Sequence, residues 1–122
     1  MRMTNLEIFN TAQDLARNLQ GFTQYLPIKV NFYIQKNKKT LFALAQDIDN
    51  ARLHIIKTYG RLDSETNEYV FDADVAETVQ RELNDLFNLE QEVEIYVVSI
   101  NSFPEDLVIS PALMEALMFM ID

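Results

Sequence analysis

Residues 27–60 read PIKVNFYIQKNKKTLFALAQDIDNARLHIIKTYG and contain no glycine or proline between the two end positions. Apolar side chains recur in this stretch at steps of three and four residues, a pattern typical of a helix with one buried face. Pro27 suits the first turn of a helix and Gly60 suits its end. We therefore predict a helix of about 31 residues, some 46 Å long at 1.5 Å per residue. Its predicted apolar face consists of Val30, Ile34, Leu41, Leu44, Ala45, Ile48, Ala51, Ile55 and Tyr59.

The length of this second helix has a consequence for the shape of the protein. A compact domain of this size has a radius of gyration of about 14 Å, which corresponds to a sphere roughly 35 Å across. The helix would extend beyond such a sphere unless the domain is elongated or the helix bent. Packing of the extra length against another chain is the third possibility, and we predict a homo-oligomer formed through helix 2.

The first residues of this stretch also support a different structure. From Ile28 to Gln35, apolar and polar side chains alternate with the period of two that is typical of a half-buried strand. Pro27 and the continuity with the helical pattern beyond Lys38 favour the helix, and the strand stays open as the alternative.

Two further helices are predicted from capping signals at their first residues. Thr4 and Glu7 have the spacing of a capping box, and the helix that follows should end near Gly21. Ser110 followed by Pro111 predicts the start of the last helix, with Leu113, Leu117, Met120 and Ile121 on its buried side.

The remaining elements lie between residues 61 and 100. A polar turn at 63–67 predicts a small hairpin over 61–71. Asp72 or Asp74 should cap a third helix that ends near Asn88, with a capping box between Asp74 and Glu77. Residues 92–100 are rich in β-branched and aromatic side chains and predict a strand.

Together these elements predict a mainly helical α+β fold. It has about four helices, a long second helix, and a small antiparallel sheet formed by the region near 61–71 and the strand at 92–100. We find no linker, low-complexity tract or internal repeat, so residues 1–122 are expected to form one domain.

Composition excludes several classes of protein. Hydrophobic residues make up 48% of the chain, which is too many for a disordered protein, and there is no cysteine from which disulfides could form. No run of about 18 apolar residues could span a bilayer, and the first residues do not resemble a secretory signal. We expect a soluble, cytoplasmic protein with no membrane partner.

The net charge of −9 is distributed unevenly along the chain. Residues 1–61 carry nine basic and four acidic side chains, whereas residues 62–122 carry one basic and fifteen acidic ones, so the two parts have net charges of +5 and −14. Such charges can be neutralised within the fold, between copies of the chain or by a partner.

Two clusters of charge are candidates for an interaction surface. Lys36, Lys38 and Lys39 form the most basic run, and with Tyr33 nearby they could contact phosphates. Fifteen acidic residues in the second part could instead imitate the phosphates of a nucleic acid and occupy a basic groove. The candidates for that contact are Glu90, Glu92 and Glu94.

No catalytic, cofactor-binding or metal-binding residues are predicted. His54 is the only histidine and has no evident additional ligands, so we expect an exposed surface residue. The carboxylates Asp72, Asp74 and Glu77 lack the spacing of a calcium loop and are explained by helix capping. We therefore expect a protein that is not an enzyme and needs no cofactor.

Several segments resemble a family of small, uncharacterised proteins encoded by tailed phages and prophages of Gram-positive bacteria. They are TNLEIFN at 4–10, LPIKV at 26–30, IQKN at 34–37, KTYG at 57–60, EVEI at 92–95 and ISP at 109–111 with Leu117 and the pair at 120–121. The resemblance covers most of the chain and implies a phage or prophage source, with the host cell cytoplasm as the compartment and association with a virion left open. Because the family has no established activity, it implies no active residues.

The function expected from these observations is a non-enzymatic phage protein that acts through protein–protein contacts, in virion assembly or by modulating a host factor. One alternative is an acidic inhibitor that mimics nucleic acid and blocks a host enzyme or defence complex. A second is a nucleic-acid-binding accessory protein that uses Lys36, Lys38 and Lys39, although nucleic acid is the less favoured partner because of the acidic remainder of the chain.

Overall fold

The computed structural model of the protein describes residues 1–19, 26–107 and 109–122. It confirms a mainly helical α+β fold, with four α-helices and four short strands in those residues. The elements in chain order are β1 (Arg2–Thr4), α1 (Asn5–Asn18), α2 (Ile28–Tyr59), β2 (Arg61–Asp63), β3 (Glu68–Val70), α3 (Ala73–Asn88), β4 (Glu90–Glu92) and α4 (Pro111–Leu117), with single 3₁₀ turns at Ile100–Ser102 and Met118–Met120.

Helix α1 begins at the predicted capping box. The Glu7 amide donates to the Thr4 hydroxyl at 3.1 Å, and the Thr4 amide donates to the Glu7 carboxylate at 3.2 Å. These two bonds satisfy donors that would otherwise have no partner at the helix start. The helix ends at Asn18. The predicted stop at Gly21 lies outside the described residues.

Helix α2 includes residues 28–34, so the strand alternative for this segment is wrong. A strand would place Ile28, Val30, Phe32 and Ile34 on one face. In the structure Val30 and Ile34 are fully buried, whereas Ile28 is 88% exposed and Phe32 is 55% exposed. Pro27 occupies the N-cap position, immediately before the helix and not in its first turn.

The hydrophobic core lies where α1 packs against α2 and α4. Its fully buried side chains come from three helices and the chain end that follows them. They include Ile8 and Leu15 from α1, Val30, Ile34 and Leu41 from α2, Leu113 and Leu117 from α4, and Met120. Leu113, Leu117 and Met120 are buried as predicted, whereas Ile121 is half-buried.

The strands form two separate two-stranded sheets and not the single sheet that we predicted. Strand β2 pairs with β3 as the expected antiparallel hairpin. Strand β4 pairs with β1, which places Arg2 opposite Glu92 and Thr4 opposite Glu90. The error arises because β1 has only three residues, too few to show a period of two.

The predicted strand at 92–100 is also wrong over most of its length. Regular pairing in β4 ends at Glu92, and beyond it Val98 makes one parallel bridge with Ile121. Side-chain alternation fails as well, because Val93 and Val97 would share one face of a strand, yet Val93 is 2% exposed and Val97 is 46% exposed. Between them, the backbone of Tyr96 is hydrogen-bonded by a side chain, that of Asn37 on α2, and not by a strand.

The starts of α3 and α4 differ in how they are capped. Ser110 caps α4 as predicted, since its hydroxyl accepts from the Leu113 amide at 3.1 Å and Pro111 is the first helical residue. Asp72 is the N-cap of α3, but its side chain makes no capping hydrogen bond. The predicted capping box between Asp74 and Glu77 is therefore wrong, because Asp74 already lies inside the helix.

The β2–β3 hairpin is set against the end of α2 at Gly60. A Cβ atom at this position would lie 2.7 Å from the Ile56 carbonyl oxygen and 2.9 Å from Cε1 of Phe71. The turn of the hairpin is closed by Asn67, whose φ of 58° is tolerated by asparagine better than by most residues. The Asn67 amide donates to the Asp63 carbonyl at 2.8 Å.

We expect Gly60→Ala to destabilise the protein by roughly 1–3 kcal/mol, because the added methyl group must displace either the helix end or the Phe71 ring. Urea unfolding followed by circular dichroism measures this loss. Lys57→Ala, an exposed change in the last turn of α2, is the control and should stay within about 0.5 kcal/mol of the wild type. Equal stability of the two variants would contradict the close approach at Gly60.

Candidate interaction surface

The side chains of the basic run at 35–39 point in different directions, because successive residues of α2 are turned by about 100° around the helix axis. Asn37 points into the core and is fully buried, whereas Lys36 and Lys39 are exposed and Lys38 is half-buried. The Asn37 amide nitrogen donates to the Tyr96 carbonyl at 2.9 Å, and its oxygen accepts from the Tyr96 amide at 2.8 Å. These two hydrogen bonds to the Tyr96 backbone hold the segment after β4 against α2, and the lysines stay on the outer side of the helix.

Lysines on the first half of α2 lie over aromatic rings. The ammonium groups of Lys29, Lys36 and Lys38 are 5.6, 5.4 and 5.4 Å from the ring centroids of Tyr33, Phe32 and Phe42. These distances are those of cation–π contacts. No acidic residue occurs between positions 28 and 46. Within the described residues, none of the ion pairs involves a lysine of this segment.

Five side chains on the first half of α2 form a surface that we call the basic face of α2. At 100° per residue, its members fall within an arc of about 100° on the helix. All five are exposed, and the two apolar ones are exposed by more than half of their area. The face therefore offers an apolar centre with cations around it. Its members are Ile28, Lys29, Phe32, Lys36 and Lys39.

The predicted acidic strip at Glu90, Glu92 and Glu94 is partly neutralised. The Glu90 carboxylate accepts from Arg2 Nε at 2.7 Å, and the Glu92 carboxylate lies 3.7 Å from Arg2 and 3.5 Å from the N-terminal ammonium group. The hydrogen bond and charge of Glu90 raise the pKa of Arg2 above its usual value. Glu94 is exposed, and no ion pair in the described residues involves it.

In the described residues, side chains or the amino terminus of residues 1–61 contact acidic side chains of residues 62–122 at three places. Beside the Arg2 contacts, Arg61 lies 3.6 Å from Asp72, and the Tyr59 hydroxyl donates to Glu82 at 2.8 Å. That hydrogen bond raises the pKa of Tyr59 above its ordinary value. Neutralisation within the fold therefore accounts for part of the uneven charge.

In the described residues, the side chains considered for catalysis or metal binding do not form a metal-ligand cluster. His54 is exposed on α2, and Asp72 pairs with Arg61. In residues 1–19, 26–107 and 109–122, no three side chains of histidine, cysteine, aspartate or glutamate converge as metal ligands would. No helix in this part of the chain is both long and apolar enough to span a bilayer.

A groove of about 400 Å³ between α1 and α2 was not predicted from the sequence. It is lined by Phe9, Ala12, Gln13 and Ala16 of α1 and by Phe42, Ala45, Gln46 and Asp49 of α2. A sequence signal for it exists, because FNTAQDL at 9–15 and FALAQDI at 42–48 share phenylalanine, alanine, glutamine and aspartate at equal spacing. The two segments face each other across the groove, so the expectation of no internal repeat overlooked this seven-residue similarity.

Comparison with protein-family models, with curated proteins and with solved structures finds no match to this chain.

Proposed function

We propose that this protein is a non-enzymatic, phage-encoded protein that acts through protein–protein contacts, in virion assembly or by modulating a host factor. The observation that carries the proposal is the exposure of Ile28 and Phe32 on the first two turns of α2. Each large apolar side chain stabilises a complex by about 1.5–3 kcal/mol when a partner buries it completely. The phage source rests on the sequence resemblance.

The lysines around these two side chains add specificity to such a contact. Because Lys29, Lys36 and Lys39 have no carboxylate partners in the described chain, an acidic partner can pair with them without breaking an existing ion pair. An apolar centre with a charged rim is the usual anatomy of a protein interface. Complementary charge at such a rim mainly increases the association rate and excludes wrong partners.

The alternative of an acidic inhibitor that mimics nucleic acid draws less support from the geometry. Two of its three candidate residues, Glu90 and Glu92, are engaged by Arg2 and the N-terminal ammonium group. Charge reversal at Glu90, Glu92 and Glu94 together tests it directly. Loss of binding to a basic partner would favour mimicry, and unchanged binding would exclude it.

Quantitative affinity capture from phage-infected cells tests the proposed function. We expect proteins captured by the wild type to decrease at least about tenfold with the Ile28→Ser/Phe32→Ser variant, since loss of roughly 1.4 kcal/mol changes an affinity tenfold. The matched control is Leu89→Ser/Met118→Ser, which changes side chains that are 59% and 57% exposed elsewhere. If the wild type and both double variants captured the same proteins in equal amounts, a role for the basic face would be refuted.

A further inference from the structure

A second exposed apolar surface lies at the other end of α2, on the β2–β3 hairpin. Leu62 and Tyr69 are directly opposite each other in the strand register, so their side chains share one face of the hairpin. They are 55% and 36% exposed. The continuously described range 49–78, which includes this hairpin, contains no fully buried residue. We call Leu62, Tyr69 and the turn residue Glu65 the hairpin patch; Glu68, next to Tyr69 in β3, points to the opposite face of the hairpin.

The charge around this second surface is opposite to that of the basic face. Residues 61–72 hold four carboxylates and one basic side chain. Arg61 lies beside Asp72, whereas Glu65 and Glu68 are exposed and take no part in an ion pair within the described chain. Two exposed apolar side chains therefore lie at each end of α2, with lysines around one pair and a hairpin of net negative charge around the other.

We infer that the basic face of α2 in one copy binds the hairpin patch of a second copy, so that the chains associate head to tail. The inference rests on the proposed function and identifies a second copy as one partner. Burying Ile28 and Phe32 against Leu62 and Tyr69 removes apolar surface of both copies from water. Lys36 and Lys39 then approach Glu65 and the net negative charge of the hairpin without loss of any ion pair seen in the described residues.

The separation of the two surfaces determines the kind of assembly. The basic face ends at Lys39 and α2 ends at Tyr59, so about 30 Å of helix separates the two surfaces at their nearest, and one copy cannot bind its own hairpin patch with its own basic face. Because the two surfaces differ, two copies can form both contacts at once in a twofold dimer, or the contact can repeat along a ring or a filament. Two apolar side chains on each surface bury much less than the roughly 800 Å² per partner of a standard stable interface. We therefore expect weak association that decreases with salt.

Sedimentation velocity on the full chain at about 100 µM protein tests this contact, in about 20 mM and about 500 mM salt. The wild type should form species larger than a monomer at low salt and dissociate at high salt. Ile28→Ser/Phe32→Ser lacks one surface, and Leu62→Ser/Tyr69→Ser lacks the other, so each variant alone should be monomeric. Their equimolar mixture retains one intact contact and should form a one-to-one dimer that grows no further.

Further variants keep the result interpretable. Tyr69 packs near Gly60, so Glu65→Lys/Glu68→Lys, which changes only exposed side chains, provides a second hairpin variant with the same expected loss. Leu89→Ser/Met118→Ser, the control used for capture, should associate as the wild type does. A monomeric wild type at low salt, or a mixture that stays monomeric, would overturn the inference.

Two other outcomes identify a different occupant of the basic face. Salt-sensitive binding of an oligothymidylate that is lost in Lys36→Glu/Lys39→Glu, without self-association of the wild type, would overturn the inference in favour of nucleic acid. A monomeric wild type whose captured proteins still depend on Ile28 and Phe32 would overturn the head-to-tail contact and leave the proposed function standing.

Discussion

An Asn37→Ala variant is expected to lose roughly 4 kcal/mol of its free energy of unfolding, because both hydrogen bonds to the Tyr96 backbone disappear in a buried site. The Tyr96 amide and carbonyl would then have no partner from α2, and an unsatisfied buried group costs about 1–3 kcal/mol. The cavity left by the shorter side chain adds to the loss. Tyr96 also stacks on Tyr33 with ring centroids 5.2 Å apart, so the support of the basic face should weaken as well.

Urea unfolding at pH 7 measures this effect, with Gln35→Ala as the control on the exposed side of the same turn. The control should lie within about 0.5 kcal/mol of the wild type. A loss at Asn37 no larger than that at Gln35 would show that the two backbone bonds contribute little.

An Asn37→Asp variant separates the two hydrogen bonds by pH. The introduced carboxylate can still accept from the Tyr96 amide, but it cannot donate to the Tyr96 carbonyl until it is protonated. Burial raises the pKa of a carboxyl in the folded state above its unfolded value, so such a group binds more protons when folded. The deficit in stability relative to the wild type should therefore shrink as the pH falls from about 7 towards 5.

Asn37 also shows where interpretation of the sequence went wrong although a signal was present. The run QKNKK was interpreted as a single basic surface because composition ignores which way each side chain points. Position 37 lies seven residues after Val30 and four before Leu41, which are both fully buried, so helical phase alone places it on the core face. Extending the apolar stripe through the polar residue would have separated Asn37 from the lysines.

Elements that depend on local signals were predicted well. The capping box at Thr4, the Ser110 cap and the end of α2 before Gly60 each depend on residues within one or two turns of the helix. Pairing of β1 with β4 joins residues almost ninety positions apart, and Asn37 meets Tyr96 across 59 positions. A local sequence period contains no information on such distant contacts. The strand at 92–100 was therefore placed wrongly, and the exposed apolar side chains of the basic face and of the hairpin patch were not predicted.

Leu15→Ala is expected to destabilise the protein by about 3 kcal/mol, within the usual range of 2–5 kcal/mol for this change at a buried site. Leu15 is 0% exposed and lies on α1, the helix that packs against α2, α3 and α4. Neighbours held by three other helices cannot collapse freely into the space, so most of the cavity should persist. Urea unfolding gives the magnitude of the loss.

Leu6→Ala is the matched control for Leu15→Ala, since it makes the same chemical change on the same helix at a side chain that is 46% exposed. Less apolar area returns to water and no enclosed cavity forms, so the loss should stay below about 1 kcal/mol. The difference between the two variants therefore isolates burial from the helix propensity of leucine and alanine, which is common to both sites. Similar losses at the two positions would mean that α1 does not pack in the core as described. Because α1 packs against α2, the direction in which the basic face of α2 points would then also differ.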